Sequence, residues 1–132
     1  MTEERQEERK RNAAIRVTMM PRDTNHHGTI FGGIVLSYID IAGGVEAVRH
    51  TGHELFVTVA MKEVIFHEPV YVGDLVSFYA VTQKVGNTSI TIKVCVEAER
   101  FGSMGKVVEV TEAEVVFVAV NENREKVSLK KR

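Results

Sequence analysis

The chain has 132 residues, and its 17 lysines and arginines against 18 aspartates and glutamates give a formal net charge of −1. This length suits one domain with one core, and the charge balance provides no overall field that would favour nucleic acid or an anionic membrane. Cys95 is the single cysteine, which excludes an intramolecular disulfide and fits a reducing compartment. The N-terminal residues lack the apolar core of a signal peptide, and no run approaches the roughly 18 apolar residues of a membrane span. We therefore expect a cytoplasmic protein with no nucleic acid partner and no membrane span.

Hydrophobic periodicity predicts a short strand, one helix and four long strands, in that order. The helix follows Gly32 and Gly33 and ends before Gly52, and Gly86-Asn87 is a tight hairpin signal. Strands that follow one another through tight turns pair antiparallel. The predicted fold class is therefore α+β, with one helix on an antiparallel sheet of about five strands. The elements are predicted at residues 14–20, 34–49, 55–66, 75–85, 88–99 and 107–120.

Charge-rich segments flank this pattern at both ends. We predict a polar N-terminal extension at residues 1–13, one domain at 14–120 and a basic C-terminal tail at 121–132. Such segments are usually frayed or face solvent. An alternative for the basic tail is that it helps to bind a phosphate group.

The last predicted strand is apolar on both faces. Simple alternation gives two valine-rich sets, and one helix can cover only one face of a sheet. A second subunit is the natural cover for the other face. The two sets are Val107, Ala113, Val115 and Phe117 on one face, and Val108, Val110, Val116 and Val118 on the other.

An acidic residue interrupts the apolar helix. On a helical wheel, Asp40 falls in a band of about 80° with Gly33, Ser37, Gly44 and Ala47. A buried carboxylate is costly unless it is paired, and small neighbours leave space for a ligand or another backbone to approach it. Asp40 is therefore predicted to be a general base or nucleophile in a narrow cleft. The alternative is a buried acid bonded to a neighbouring backbone or hydroxyl group.

The start of the helix carries the second chemical feature. A helix N-terminus offers free backbone N–H groups and a partial positive charge, and the glycines Gly32 and Gly33 would let a carbonyl approach them. This arrangement is a candidate oxyanion hole for acyl transfer. The alternative is a glycine turn that binds no ligand.

Two neighbouring motifs carry a family resemblance. Residues 21–33 are PRDTNHHGTIFGG and residues 38–43 are YIDIAG. Together they resemble the acyl-CoA thioesterases of hotdog fold, and most of all the bacterial YciA-type acyl-CoA thioester hydrolases. Further matches at residues 58–60, 72–74 and 86–90 extend the resemblance over about residues 15–120.

The resemblance implies a hotdog fold, in which a long central helix is wrapped by the antiparallel sheet. It also implies dimers that assemble further into hexamers or tetramers, with active sites at the dimer interface. The implied catalytic residues are Asp40, Asn25, Gly33 and Gly32, and no metal or resident cofactor is expected, since coenzyme A enters as part of the substrate. The implied substrate-binding and CoA-binding residues are Phe31, Thr58, Val59, Gly86, Asn87, Thr88 and Ser89.

The implied activity is hydrolysis of fatty acyl-CoA, of short to long chain, to free CoA and a carboxylic acid. Asp40 would activate water as a general base or attack directly to give a mixed anhydride. Two other functions remain open: an acyl-CoA-binding sensor without catalysis, and a hotdog dehydratase or hydratase. The helix also suggests two half-sites, because Asp40 and the Gly-Gly pair lie roughly 10 Å apart at about 1.5 Å per residue.

Charged and titratable side chains elsewhere are weaker candidates. His26 and His27 flank the predicted cleft and are candidates for a catalytic role, with loop histidines in solvent as the alternative. The negative phosphates of CoA would attract basic residues, of which four lie on or between the last strands. These four are Lys84, Lys93, Arg100 and Lys106.

Overall fold

The computed structural model describes residues 12–130, apart from the side chain of Ser103. One helix and five strands form in the predicted order, and short 3-10 turns lie at Pro21–Asp23 and Phe101–Ser103. The predicted α+β fold class is confirmed, and the predicted segments agree closely with the observed ones. The elements are β1 (Ile15–Thr18), α1 (Gly32–Thr51), β2 (Phe56–Phe66), β3 (Leu75–Val85), β4 (Ser89–Arg100) and β5 (Lys106–Ala119).

The strands form one antiparallel sheet in the order β1-β3-β4-β5-β2. The hairpin turns place β3 beside β4 and β4 beside β5, while β1 and β2 add to the two edges. β2 is therefore an edge strand within the chain, and it is irregular, with register shifts between Thr58 and Ala60 and between Lys62 and Ile65. An irregular edge leaves backbone groups and side chains of β2 available for other contacts.

The helix α1 lies across one face of the sheet. Its buried side includes Val35, Ile39 and Ala42, which pack on fully buried sheet residues such as Ile92 and Val94. Each large aliphatic side chain buried in this way contributes about 1.5–3 kcal/mol to folding. No helix within residues 12–130 is long and apolar enough to cross a membrane.

Glycines at two points fix the position of α1. A Cβ atom on Gly43 would lie 2.9 Å from the Phe117 ring, so the glycine lets the helix approach β5 closely. Gly52 has a positive φ of 77° and donates its N–H to Val48 O at 2.8 Å, which ends the helix in the left-handed conformation that glycine favours. Phe117 thus fills the space beside Gly43.

The last strand does not alternate simply, and the two predicted sets of β5 side chains are wrong. The pairing with β4 shifts between Val96, which faces Thr111, and Glu97, which faces Glu109. This bulge moves Val108 and Val110 to the helix side together with Ala113, Val115 and Phe117. Val107 lies on the outer face and is 49% exposed.

Part of the helix and of β2 remains uncovered in the chain. The apolar helix is not covered on every side, since Ile41 is 55% exposed and Val48 is 36% exposed. On β2, Val59 and Phe66 are also more than half exposed. Exposed apolar side chains thus follow the helix and the edge strand, and Ile41 is the direct chain neighbour of Asp40.

The C-terminal segment folds back on the sheet. Val120 pairs with Lys126, Val127 donates its N–H to Ala119 O at 3.0 Å, and Leu129 packs against the core. The tail at residues 121–130 is therefore not frayed, because backbone hydrogen bonds hold it, but most of its side chains face solvent, which was the other half of the prediction. Most of the predicted extension at 1–13, and the last two residues of the tail, lie outside the described residues.

Candidate active site

Asp40 lies half-buried in the middle of α1 and has a partner on the edge strand. Thr58 of β2 donates its hydroxyl to Asp40 Oδ1 at 2.6 Å. Within residues 12–130, Oδ2 of Asp40 accepts no hydrogen bond. One carboxylate oxygen is thus oriented by Thr58, and the other can bind a water molecule or a substrate atom.

Thr58 and Val59 were both predicted to contact the substrate or CoA. The structure brings Thr58 to Asp40, while Val59 lies in the β2 irregularity and is 55% exposed. Contact of either residue with the substrate stays a prediction. Sequence reasoning did not find the pair because 18 positions separate its members. Only the packing of α1 beside β2 brings them together.

The N-terminus of α1 is open, as the glycine pair predicted. Phe31 precedes the helix in an extended conformation, and the first N–H groups of a helix have no acceptor within it. The N–H groups of Gly32 and Gly33 bind no acceptor elsewhere in residues 12–130. They can therefore donate to a substrate carbonyl.

Two phenyl rings border these N–H groups. A Cβ atom on Gly33 would lie 2.5 Å from the Phe31 ring, and one on Gly32 would lie 3.4 Å from the Phe66 ring. Both rings are more than half exposed. Any other residue at position 33 would displace Phe31, so the glycine is required for this arrangement.

Asn25 organises the loop that leads into the helix. Its Oδ1 accepts the N–H of His27 at 2.8 Å and that of Thr29 at 3.3 Å, and its Nδ2 donates to Thr29 Oγ1 at 2.9 Å. Gly28 permits the tight turn through its positive φ of 88°. In this chain Asn25 therefore holds the loop before Gly32, and a direct contact of Asn25 with substrate stays a prediction.

His26 and His27 lie on the outside of this loop. Both are exposed, and their ring centroids are 3.9 Å apart. Neither side chain contacts Asp40. They are near the start of the helix only because they belong to the loop that precedes it.

An apolar cleft of about 300 Å³ opens beside Gly32. It lies between the start of α1 and the end of β2, and sequence reasoning did not predict it. No single segment lines it, which is why no motif indicated it. Its walls include Ile30, Val35, Phe66, Val70 and Thr111.

The predicted CoA-binding hairpin lies at the other end of α1. The turn is closed by Gly86 N–H donating to Ser89 O at 2.7 Å, and Thr88 O accepts the N–H of Ala119 at 2.8 Å. The C-terminal end of α1 is at this same side, because Phe117 lies against Gly43. Within one chain the hairpin and Gly32 are therefore far apart.

The C-terminal tail lies on this hairpin. Leu129 donates its N–H to Asn87 O at 2.7 Å, and the Ser128 hydroxyl donates to Asn87 Oδ1 at 2.9 Å. The neighbouring Lys126 and Lys130 are both exposed. The tail thus adds basic residues next to the predicted CoA-binding turn.

Two of the four predicted phosphate contacts are engaged locally. Arg100 pairs with Asp74 at 3.4 Å and lies over the Tyr71 ring, and Lys93 pairs with Glu112 at 3.7 Å. Lys106 lies opposite Arg100 in the register of β4 and β5, at the end of the sheet away from the hairpin. Lys84, by contrast, is exposed near the end of β3, beside the hairpin.

One group among the described residues has side chains that could hold a metal ion. The nitrogen Nε2 of His67 lies 3.9 Å from Glu109 Oε1 and 3.8 Å from Glu112 Oε1. The group is on the outer face of the sheet, since Glu112 alternates with the buried Thr111 and Ala113. Lys93 already neutralises Glu112 there, and no residue of the helix takes part.

The comparisons with known proteins agree with this geometry. Residues 27–102 match the family model of the thioesterase superfamily. The acyl-CoA thioester hydrolase YciA of Escherichia coli is 38% identical over 109 residues, which cover 81% of this chain and 82% of that protein. A hexameric hotdog fold thioesterase of Campylobacter jejuni superimposes with a TM-score of 0.84 at 41% identity, covering 89% and 90% of the two chains. HI0827, a hexameric broad specificity acyl-coenzyme A thioesterase, superimposes with a TM-score of 0.83 at 37% identity, covering 91% and 82%.

A central helix on an antiparallel sheet, with an aspartate in the helix and an open glycine start, defines a thioesterase of the hotdog fold. The chain belongs to the thioesterase superfamily and, within it, to the acyl-CoA thioester hydrolases. The resemblance drawn from residues 21–33 and 38–43 is confirmed, as is the hotdog fold. The roles of individual residues stay predictions.

Proposed function

We propose that this protein hydrolyses acyl-CoA thioesters to free CoA and a carboxylic acid. The observation that carries the proposal is the orientation of Asp40 by Thr58, with the second carboxylate oxygen open, in a chain of the acyl-CoA thioester hydrolase family. An aspartate held in this way can act on a water molecule or on a carbonyl carbon. A purely structural aspartate would not need an open oxygen on an exposed apolar face.

The reaction uses two groups of this chain. The thioester carbonyl accepts hydrogen bonds from the N–H groups of Gly32 and Gly33, which stabilise the negative charge that develops on its oxygen. Asp40 takes a proton from water while the water oxygen attacks the carbonyl carbon; the C–S bond then breaks, and Asp40 returns the proton to the leaving sulfur of CoA. Alternatively, Asp40 attacks the carbonyl carbon and expels CoA as its thiolate, and water then hydrolyses the mixed anhydride to release the carboxylic acid and restore Asp40.

The two groups come from different subunits in our proposal. Asp40 lies about 10 Å along the helix axis from Gly33, at about 1.5 Å per residue, so one carbonyl cannot reach both in one chain. Ile41, which follows Asp40 in the helix, and Val59, which follows Thr58 in β2, are both 55% exposed and offer an apolar surface for a second subunit. We propose a dimer that assembles further, as a hexamer like the relatives from Campylobacter jejuni and HI0827, with a tetramer as the alternative.

CoA is proposed to lie along the hairpin at residues 86–89. Lys84, Lys126 and Lys130 place exposed positive charge around this turn, which suits the phosphates of the nucleotide. Phe31 and Val59 are proposed to contact the acyl or pantetheine part. We propose no resident cofactor, and a cytoplasmic location, which the single buried Cys95 fits.

A thiol-release assay over acyl-CoAs from acetyl to palmitoyl tests the proposal. We expect free thiol from several of them with the wild-type protein. In Asp40→Asn the rate should fall by about a hundredfold or more, while the melting temperature and oligomeric state stay unchanged. Ser37→Ala, which alters an exposed side chain one turn earlier, is the matched control and should remain active.

The same assay separates the two other functions. A sensor would bind acyl-CoA and release no thiol. A dehydratase or hydratase would convert 3-hydroxyacyl-CoA or its unsaturated partner without release of thiol. Either result with the wild-type protein would overturn the proposed hydrolysis.

A further inference from the structure

The cleft beside Gly32 contains a polar atom without a partner. Thr111 is fully buried at 0% exposure, and its Oγ1 is the one buried side-chain nitrogen or oxygen among residues 12–130 that makes no hydrogen bond. A buried hydroxyl without a partner costs about 1–3 kcal/mol. Natural cores rarely retain such a group, so this threonine calls for an explanation.

Thr111 faces the cleft and not the outer surface. It pairs with Val96 on one side and with Phe66 on the other, and both are on the helix side of the sheet. Its place in the β5 bulge, directly after the buried Val110, fixes this orientation. The hydroxyl has no exposed surface in this conformation, and the remaining wall is mostly apolar. It is therefore the polar group that an occupant would meet at depth once the Phe66 ring on the neighbouring strand moves aside.

The cleft is joined to the carbonyl-binding end of the helix. Gly32 forms part of its wall, and its N–H is free. A volume of about 300 Å³ has room for roughly ten groups of the size of water, at about 30 Å³ each. A carbonyl bound at Gly32 would therefore direct a short acyl group into the cleft, towards Thr111. The exposed Phe66 ring at the rim can rotate to admit it.

We propose that this cleft receives the acyl group and that Thr111 selects acyl groups that carry a second oxygen, as a hydroxyl or keto group, over plain alkyl chains of the same length. This inference rests on the proposed function, since it assigns the substrate class of that same site. The threonine hydroxyl can donate to a keto oxygen, and it can donate to or accept from a hydroxyl. A plain alkyl chain would leave the hydroxyl unpaired.

The size of the effect follows from one neutral hydrogen bond. We expect the wild-type protein to favour the oxygenated acyl-CoA by about fivefold in kcat/KM. Valine has nearly the same shape as threonine but carries a methyl group in place of the hydroxyl. In Thr111→Val the preference should disappear, because a plain alkyl chain no longer leaves a buried hydroxyl unpaired. Thr111→Ser retains the hydroxyl and should keep the preference.

The experiment compares matched acyl-CoA pairs. Butyryl-CoA is compared with 3-hydroxybutyryl-CoA, and hexanoyl-CoA with 5-hydroxyhexanoyl-CoA, in thiol-release assays of the wild-type protein and both variants. Dissociation constants for the same pairs, measured by calorimetry with Asp40→Asn as the background, test the selection independently of turnover. If Thr111 has only a structural role, Thr111→Val will change the melting temperature but will not alter the ratio of kcat/KM, or of dissociation constants, within either acyl-CoA pair.

The outcomes separate the two proposals. A preference for the oxygenated member of either pair that Thr111→Val removes and Thr111→Ser keeps supports the inference. Ratios within twofold for both pairs, or ratios that survive in Thr111→Val, overturn it and leave hydrolysis standing. If no thiol is released but binding shows the threonine-dependent preference, the proposed hydrolysis fails and the acyl site stands.

Discussion

The hydroxyl of Thr58 lies 2.6 Å from Oδ1 of Asp40 and joins the edge strand β2 to the central helix α1. A hydrogen bond from a neutral hydroxyl to a carboxylate is among the stronger kinds. It restricts rotation of the carboxyl group and leaves the second oxygen without a hydrogen bond within residues 12–130. The position of the edge strand therefore determines the geometry of the proposed catalytic group.

Thr58→Val should lower kcat by about tenfold, because a carboxylate that is no longer oriented reaches its reactive position less often. The KM should change little if Thr58 acts through Asp40. Steady-state kinetics with one good acyl-CoA measure both parameters. Thr58→Ser keeps the hydroxyl and should restore most of kcat. A large rise in KM with kcat unchanged would instead assign Thr58 to CoA binding, as the sequence predicted.

Gly33→Ala should lower kcat/KM by about tenfold to a hundredfold. The added Cβ would lie 2.5 Å from the exposed Phe31 ring, and moving that ring disturbs the border of the helix N–H groups. The melting temperature should stay nearly constant because the ring is at the surface. Gly102→Ala, where no atom lies within 4 Å, should leave both activity and melting temperature unchanged.

Gly43→Ala, in contrast to Gly33→Ala, should lower the stability of the protein. Its Cβ would meet the buried Phe117 at 2.9 Å, so overpacking should cost about 1–3 kcal/mol of stability. Thermal unfolding measures the loss. Full stability in this variant would show that Phe117 can move, contrary to the close packing of α1 on β5.

Mixing two impaired variants tests the shared active site. Asp40→Asn and Gly33→Ala each damage one half-site, and subunits of the two exchanged by mild denaturation and refolding should recover activity well above either parent. In a mixed dimer, one of the two sites has both groups intact. A mixture no more active than its parents would place both groups in one subunit. Each variant refolded alone is the control.

The double variant Lys126→Ala with Lys130→Ala should raise the KM for acyl-CoA by about threefold to fivefold, since each exposed ion pair contributes about 0.2–1 kcal/mol. Its kcat should not change. Acyl-pantetheine thioesters lack the nucleotide and should show no effect. Lys106→Ala, at the opposite end of the sheet, is the matched control, and a rise in KM there would move the phosphates away from the hairpin.

The order and type of the elements followed from the sequence because backbone preference and side-chain periodicity are local. The alternation from Ile90 to Ala98 predicted one buried face of β4, and all five residues of that face are fully buried. Gly52 and the turn at Gly86 ended their elements as their conformational freedom predicted. The short segments 21–33 and 38–43 were enough to indicate the family, since they combine a glycine-opened helix with an aspartate in its middle.

The tertiary structure alone decided which distant residues meet. The bulge after Val110 reversed the alternation of β5, and nothing in the valine-rich run marked its place. The contact of Thr58 with Asp40, the unpaired hydroxyl of Thr111 at the cleft and the return of Leu129 to Asn87 all depend on that register and on how α1 crosses the sheet. Strand register is set by the sum of many weak pairings, so it is a property of the assembled sheet and of no segment within it.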